Sequence, residues 1–472
     1  MSRKRLAALA TVGALLVGGV ASAQPVTPSP GSTGLGDTYF PGDGNGGYDV
    51  SSYRIAHTMR LAKGELSGRT VVRARATQAL SRFNLDFVLP VRSVSVNGTK
   101  ARFTRPNRHE LTVIPRTALA GGSAFQVVVR YRGKPAKHAW RGERPWLGDE
   151  REVVAMGEPQ IAAWWFPSND HPQDKARFDI SIRVPRGKQA IANGRLVSTK
   201  RTAHWTTWRW QAKEEMAPYL AFFAAGDFAL ERGRTSSGVR WVNAVSEQLS
   251  PARRRAALAF LRKTPKVIAW LERRLGPYPF VDAGGLVTAL DTGFALENQT
   301  RPTYPALADF SAGGGLLAHE LAHQWFGDLV AVRQWRDIWL NEGFASYFGD
   351  LWGDGLDLAS SNAMLERGWR WWDAASFWHL DISDPGPRML FDTPVYQRGS
   401  LAVAALRQRL GEQDFWLLLR TWLADRSHGS VAEFETLAAS ISGEDLDGFF
   451  DAWLRADRRP ARSVENGLLP PT

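Results

Sequence analysis

Residues 319 to 342 gather, within one short span, side chains of the types that bind metal ions and move protons. The chain reads His319-Glu320-Leu321-Ala322-His323 and later Asn341-Glu342-Gly343. On a helix, positions i and i+4 share a face, so His319 and His323 offer two imidazoles to one ion. Zinc accepts nitrogen and carboxylate ligands, and a catalytic zinc keeps its fourth position for water. Glu342 supplies the third ligand. Glu320, beside His319 but not needed for binding, stands where a general base would act on that water. With only nine His in 472 residues, this grouping is hard to read as two core histidines beside a solvated glutamate. Gly313-Gly314-Gly315 leads into the helix, and Leu316, Leu317, Leu321, Trp325 and Phe326 give it an apolar face. A variant with a third histidine further along the helix is excluded, because Phe326 and Leu329 stand where it needs Gly and His. The set suits a single Zn2+.

The elements that must position these residues fall into two textures. Residues 48–228 read as β-structure, in short alternating runs at 70–75, 91–96, 125–129, 178–182 and 204–210. Asn97-Gly98 is a tight-turn dipeptide. Together these predict a β-sandwich-like domain. From about residue 250 the pattern becomes helical. Residues 251–275 are amphipathic and stop at Gly276-Pro277. Strand-like pieces lie between 284 and 297. Further helices are expected at 400–410, 415–423, 431–441 and 447–455. The helix at 431 has a capping box, Ser430 with Glu433 three residues on. The fold class is α+β, with a β-domain at 48–228, a mainly helical domain at 229–458 and a tail at 459–472.

The N-terminus reads as an address. Arg3-Lys4-Arg5, an apolar core at 6–20 and Ala21-Ser22-Ala23 form a signal peptide with cleavage near Ala23. The expected location is secreted, extracellular or in a periplasmic-type compartment, with no membrane anchor left after cleavage. Residues 24–47 are rich in Gly, Pro, Ser and Asp and read as a linker or surface lead-in, with Asp37 and Asp43 as turn residues. The chain has no cysteine, which excludes disulfides and thiolate zinc sites. Its net charge of +12 is scattered, without a basic block or an aromatic-interleaved strip, so nucleic acid is not an expected partner.

Three further stretches complete a set. They are Gly293-Phe294-Ala295-Leu296-Glu297-Asn298, Val395-Tyr396-Gln397-Arg398-Gly399, and Glu158-Pro159 with Phe166-Pro167, Asp170, Pro172 and Lys175. Taken singly, Tyr396 reads as a half-buried aromatic, Glu297 as a solvated charge and Glu158 as a turn residue. With Trp339-Leu340-Asn341-Glu342-Gly343-Phe344-Ala345, the set closely resembles the aminopeptidase N family of zinc metallopeptidases, the gluzincins. The resemblance runs from about residue 48 to about 454.

It implies a thermolysin-like, mainly helical catalytic domain after the β-domain, and release of the N-terminal residue from peptides. By motif, His319, His323 and Glu342 bind zinc, Glu320 activates its water and Tyr396 donates to the oxyanion. Glu158 and Glu297 hold the free α-amine, with Ala295 and Asn298 in the same substrate-binding stretch. An unpaired ammonium is costly to bury, so two carboxylates facing one subsite fit an exopeptidase. The other readings are a gluzincin endopeptidase and a non-catalytic peptide-binding protein on the same fold. The sequence departs from the family where Phe294 occupies a usual glycine position, with Gly293 one residue early, and where Leu296 replaces methionine. Many members also carry a long C-terminal helical domain, so a more open site, or one closed by a partner, is expected here.

Overall fold

The computed structural model describes residues 27–306, 308, 310, 314–424 and 426–469. The expected signal peptide and Gly313 lie outside them.

Period-two alternation builds the first half. The strand Tyr48–Arg60 buries Tyr48, Val50, Tyr53, Ile55, His57 and Met59. A register shift between Val50 and Ser52 moves the alternation by one residue and keeps the same face buried. This strand lies inside an eight-stranded sheet. Its order is Arg195–Arg201, Trp205–Met216, Ala176–Pro185, Tyr48–Arg60, Glu65–Ala76, Ala124–Gly133, Val91–Val96 and Thr99–Lys100. Two four-stranded sheets pack against it. Tyr48 meets Phe83 of Leu80–Asp86 with ring centroids 5.7 Å apart, and His57 meets Phe223 of Phe223–Gly226 at 5.9 Å. Each buried Phe removed from water contributes roughly 1.5–3 kcal/mol. The strand runs read from the sequence all lie within these strands, apart from His204 at the edge of Trp205–Met216. Asn97 and Gly98 both take positive φ in the turn between paired strands.

The second half opens with a sheet ordered Phe228–Arg234, Arg240–Ser246, Asp282–Val287 and Thr303–Tyr304. Arg240–Ser246 and Asp282–Val287 are parallel, which demands a crossover. Helices α1 (Pro251–Leu261) and α2 (Thr264–Leu275) make it. The sequence predicts one helix here. The chain forms two, with Pro265 in the first turn of α2, where a missing N–H costs nothing.

Helices α3 (Gly315–Ala322), α4 (Trp339–Leu351), α5 (Leu358–Trp371), α6 (Ala375–Trp378), α7 (Thr393–Ala424) and α8 (Val431–Ser442) follow. The capping box at Ser430 and Glu433 forms reciprocally. Gly411, at φ 75°, bends α7 into the two segments expected from periodicity. However, α7 begins at Thr393, well before the expected start at 400, because Pro394 fits a first turn. Tyr396 is therefore a helical residue.

Two glycines set the crossing of α4 and α7. A Cβ on Gly399 would lie 2.8 Å from Gly343 Cα, and one on Gly343 would lie 3.0 Å from Gly399 Cα. Glu342 precedes the first glycine, and Tyr396 lies one turn before the second. The contact thus fixes the separation of two candidate site residues.

Residues 27–47 are no surface linker. Phe40, Asp37, Asp43 and Asn45 are buried. Asp37 accepts the N–H groups of Tyr39 and Phe40 through Oδ1. Its Oδ2 accepts Trp335 N–H of the helical half and faces His171 Nε2 of the β-half at 3.2 Å. Burial pushes its carboxyl up, but these bonds outweigh it and hold the pKa at about 2. Asp37, Asp43 and Asn45 stay inside because their polar groups find partners there, Trp335 N–H on the helical half and the side chains of His171, Gln160 and Asp86 on the β-half. The buried Lys175 crosses the same seam, donating to the carbonyls of Asp328 and Leu329 at 2.8 Å each. The tail also folds back, with Trp453 Nε1 donating to Asn466 O at 2.9 Å and Trp369 Nε1 to Pro460 O at 3.1 Å.

Gly399→Ala is expected to destabilise the protein by about 1–3 kcal/mol through overpacking. A lower urea midpoint with an unchanged slope checks it. An unshifted midpoint would mean that α4 and α7 have room to separate.

Candidate active site

The site is assembled from four stretches far apart in sequence. Helix α3 begins at Gly314, φ 106°, and carries His319 and Glu320, with His323 at its C-cap. The two imidazole Nε2 atoms are 3.1 Å apart. Glu342 Oε2, from the first turn of α4, lies 3.4 Å from His319 Nε2 and 3.3 Å from His323 Nε2. Ligands about 2.0–2.1 Å from one tetrahedral ion sit about 3.4 Å from each other. The three donor atoms therefore already hold the spacing a zinc-like ion requires.

The second layer of contacts fixes which nitrogen points inward. His323 Nδ1 lies 3.0 Å from Phe326 O and donates to it, leaving the Nε2 lone pair for a metal. His319 Nδ1 lies 3.4 Å from Ser346 Oγ, one helical turn beyond Glu342 on α4. Burial raises the Glu342 carboxyl, yet the two imidazoles outweigh it and hold its pKa at about 2. It is a ready anionic ligand.

The triad opens into a cavity of about 740 Å³ lined by Glu158, Ala295, Glu297, Glu320 and Tyr396, among others. Its described lining contains no Lys or Arg. Burial first, then the neighbouring carboxylates, push Glu158 well above the usual range. Burial, chiefly, pushes Glu320 well above the usual range, with Glu297 and Glu342 adding to it and His323 opposing. Glu297 is raised in the same way, chiefly by burial. Tyr219, buried behind it, donates its hydroxyl to Glu297 Oε1 at 3.2 Å. Gln324, just past the zinc-type motif, donates to Glu297 O at 2.9 Å and so ties that loop to α3. Glu158 Oε1 has no hydrogen-bond partner among the described residues, so the cavity offers it to a ligand.

Tyr396 stacks on His319, with ring centroids 6.0 Å apart at 20°. Burial and four surrounding glutamates push its hydroxyl far above its ordinary value, so it remains protonated and can donate. Phe294 stands at the rim, 46% exposed, after Gly293 in a left-handed conformation at φ 77°. The one-residue displacement of this glycine thus places a large ring over the cavity.

Of the nine residues singled out from the sequence, eight meet here. Asn298 does not line the cavity. It is fully buried, and its Nδ2 donates to Leu220 O at 3.3 Å, bracing the loop that carries Glu297. Sequence reasoning missed Tyr219 and Ser346. Neither has a neighbouring motif, and only the fold brings them to Glu297 and His319. Phe391, Thr393 and Gln397 also line the cavity, because α7 starts earlier than its periodicity suggests.

The profile of the Peptidase M1 N-terminal domain matches residues 51–220, and that of the Peptidase family M1 domain matches 285–453. Aminopeptidase N of Lactococcus lactis subsp. cremoris is 28% identical over 360 residues, covering 70% of this chain and 41% of that protein. Aminopeptidase M1 of Arabidopsis thaliana is 25% identical over 443 residues, covering 81% and 48%. The chain therefore spans less than half the length of these curated relatives. It matches nearly all of an M1 zinc metallopeptidase from Deinococcus radiodurans, with a TM-score of 0.81, 25% identity, and 91% of this chain and 98% of that one covered. A mutant of that protein bound to a Tyr-Ser-Ala substrate matches with a TM-score of 0.80, at 26% identity, over 91% and 99% of the two chains.

His323→Ala is expected to leave the purified protein without tightly held metal at this triad, whereas Tyr396→Phe should retain it. Zinc counted by mass spectrometry after gel filtration, with each variant compared to the wild type, checks both.

Proposed function

This chain belongs to the M1 peptidase family, and on that premise we propose that it is a zinc-dependent aminopeptidase that removes the first residue from peptides with a free N-terminus. The observation that carries the reading is the pairing of a metal triad with two unneutralised carboxylates, Glu158 and Glu297, in one cavity. An endopeptidase has no use for them. A peptide's α-ammonium supplies the positive charge that this end of the cavity lacks, and leaving it unpaired there would cost several kcal/mol.

Zinc, when bound, supplies Lewis-acid activation of water and of the scissile carbonyl. The protein's own groups do the rest. Glu158 and Glu297 hold the ammonium, and Tyr219 orients Glu297. This fixes the first peptide bond, and no later one, beside Glu320. Glu320 takes the proton from attacking water and returns it to the departing amine. A carboxylate at hydrogen-bond reach of that water can carry the proton in both steps. Tyr396 donates to the oxygen on which negative charge develops. Phe294 and Leu316, at the rim, would meet the first side chain.

We also propose that the protein is exported, on the strength of the basic, apolar and Ala-Ser-Ala segments at its N-terminus. No described helix is long and apolar enough to cross a membrane. The mass of the protein recovered outside the cell should correspond to a chain beginning at Gln24. A mass that includes residues 1–23 would refute cleavage there.

The function is tested with aminoacyl amides and their N-acetylated counterparts. Turnover should need the free amine, stop on chelation and return with zinc. Equal turnover of blocked peptides would make the enzyme an endopeptidase. Glu320→Gln is expected to lower kcat by about 10²–10⁴-fold with zinc content unchanged. Glu297→Gln should instead lower kcat/KM for free-amine substrates far more than for blocked ones. A Glu320→Gln enzyme with wild-type kcat would remove the general base from this account.

A further inference from the structure

We propose that Asp86, His109 and Glu110 bind a second divalent metal ion, of the zinc or manganese class, inside the β-domain. These residues do not line the active-site cavity, and the proposal is independent of the reading above.

Asp86 ends the strand Leu80–Asp86, and Glu110 begins Glu110–Ile114. The two are directly opposite in the antiparallel register. Facing residues on neighbouring strands share a sheet face, and like charges placed this way repel. Both are buried, Asp86 at 0% and Glu110 at 3% exposure. Among the described residues, no Lys or Arg lies within ion-pair distance of either. Among the described residues, the ion-pair contact of Asp86 is with His109 Nδ1, 3.5 Å from Oδ1. This matches the 3.3 and 3.4 Å separations of imidazole and carboxylate in the active-site triad. One donor atom from each of Asp86, His109 and Glu110 lies within 4.8 Å of the others, the same grouping that the active-site triad shows.

The two oxygens of Asp86 are used differently. Oδ2 accepts Asp170 N–H at 2.7 Å and Asn45 Nδ2 at 3.2 Å. Oδ1 has no hydrogen-bond partner and is turned toward His109. Neither ring nitrogen of His109 has a hydrogen-bond partner, nor does Glu110 Oε1. His109, 1% exposed, is stacked on Trp140 at 4.9 Å and 11°, which walls the group off from water. Buried polar atoms are normally paired, and donors converging without partners are what a missing ion leaves. One imidazole with two carboxylates favours a divalent transition ion over calcium. Such an ion would tie two strands, and through Asn45 the lead-in, in a protein that has no disulfide.

The test counts metal in the mature chain and in its His319→Ala/His323→Ala variant, each loaded with zinc or manganese and gel-filtered. The wild type should hold two ions per chain and the double variant one. A double variant free of metal would overturn the proposal and leave a shared proton as the bond between Asp86 and Glu110. That count does not depend on whether any β-domain variant folds. Adding His109→Gln to the double variant should remove the remaining ion and lower Tm by on the order of 5 °C. Retention of the ion after this change would also overturn the proposal. Anomalous diffraction from wild-type crystals should place a peak among the three side chains, and a blank map there in a metal-loaded crystal would refute it.

Discussion

Four glutamates around one cavity are the constraint on which the rest of this structure depends. Glu158, Glu297, Glu320 and Glu342 share a buried space whose described lining has no Lys or Arg. Among the described lining residues, His319 and His323 are the groups that can carry positive charge, and they favour Glu342. Burial raises the other three, and each carboxylate makes its neighbours harder to ionise. A fold tolerates this arrangement where cations arrive from outside. On the proposed function, a divalent ion would answer the triad and a peptide's ammonium would answer Glu158 and Glu297, so that the polarity of the cavity would set which bond is cut.

Holding these charges together demands a rigid seam, because Glu158 comes from the β-half and the others from the helical half. Asp37 and Lys175 give that seam its bonds. Asp37 accepts Trp335 N–H of the helical half and faces the His171 side chain of the β-half, and Lys175 donates to the carbonyls of Asp328 and Leu329, so directional bonds cross the seam. The glycine contact between α4 and α7 works to the same end at shorter range, since it ties Tyr396 to Glu342. Tyr219 and Ser346 then orient a substrate-facing carboxylate and a ligand imidazole. The geometry of the site is thus set largely by residues outside the triad and the four glutamates.

What the sequence disclosed follows from how local each signal is. The i, i+4 pair of His319 and His323 is a property of one helical turn, and the alternation at 70–75 or 178–182 is a property of one strand. Both were legible. The roles of Glu158, Glu297 and Tyr396 were legible only through the family resemblance, because their meeting is tertiary. Asn298 was misread, since adjacency to Glu297 does not tell which side chains a loop turns inward. The burial of Asp37, Asp43 and Asn45 within the lead-in was not legible, because Gly, Pro and Asp describe turns, and nothing in composition says that a turn will be buried between two halves. Asp86 and Glu110 drew no notice either. They are ordinary strand-end residues until the register sets them face to face.

The central claim is that this cavity selects a terminal ammonium by charge. The most direct measurement is competitive inhibition of the zinc-loaded protein by an amino acid amide and by its des-amino analogue. The same pair should be run on a Glu158→Gln/Glu297→Gln variant. The account predicts that the amine-bearing compound binds the wild type at least about 100-fold more tightly, a difference of about 2.7 kcal/mol, and that the variant loses this preference. Equal inhibition of the wild type by the two compounds would contradict it.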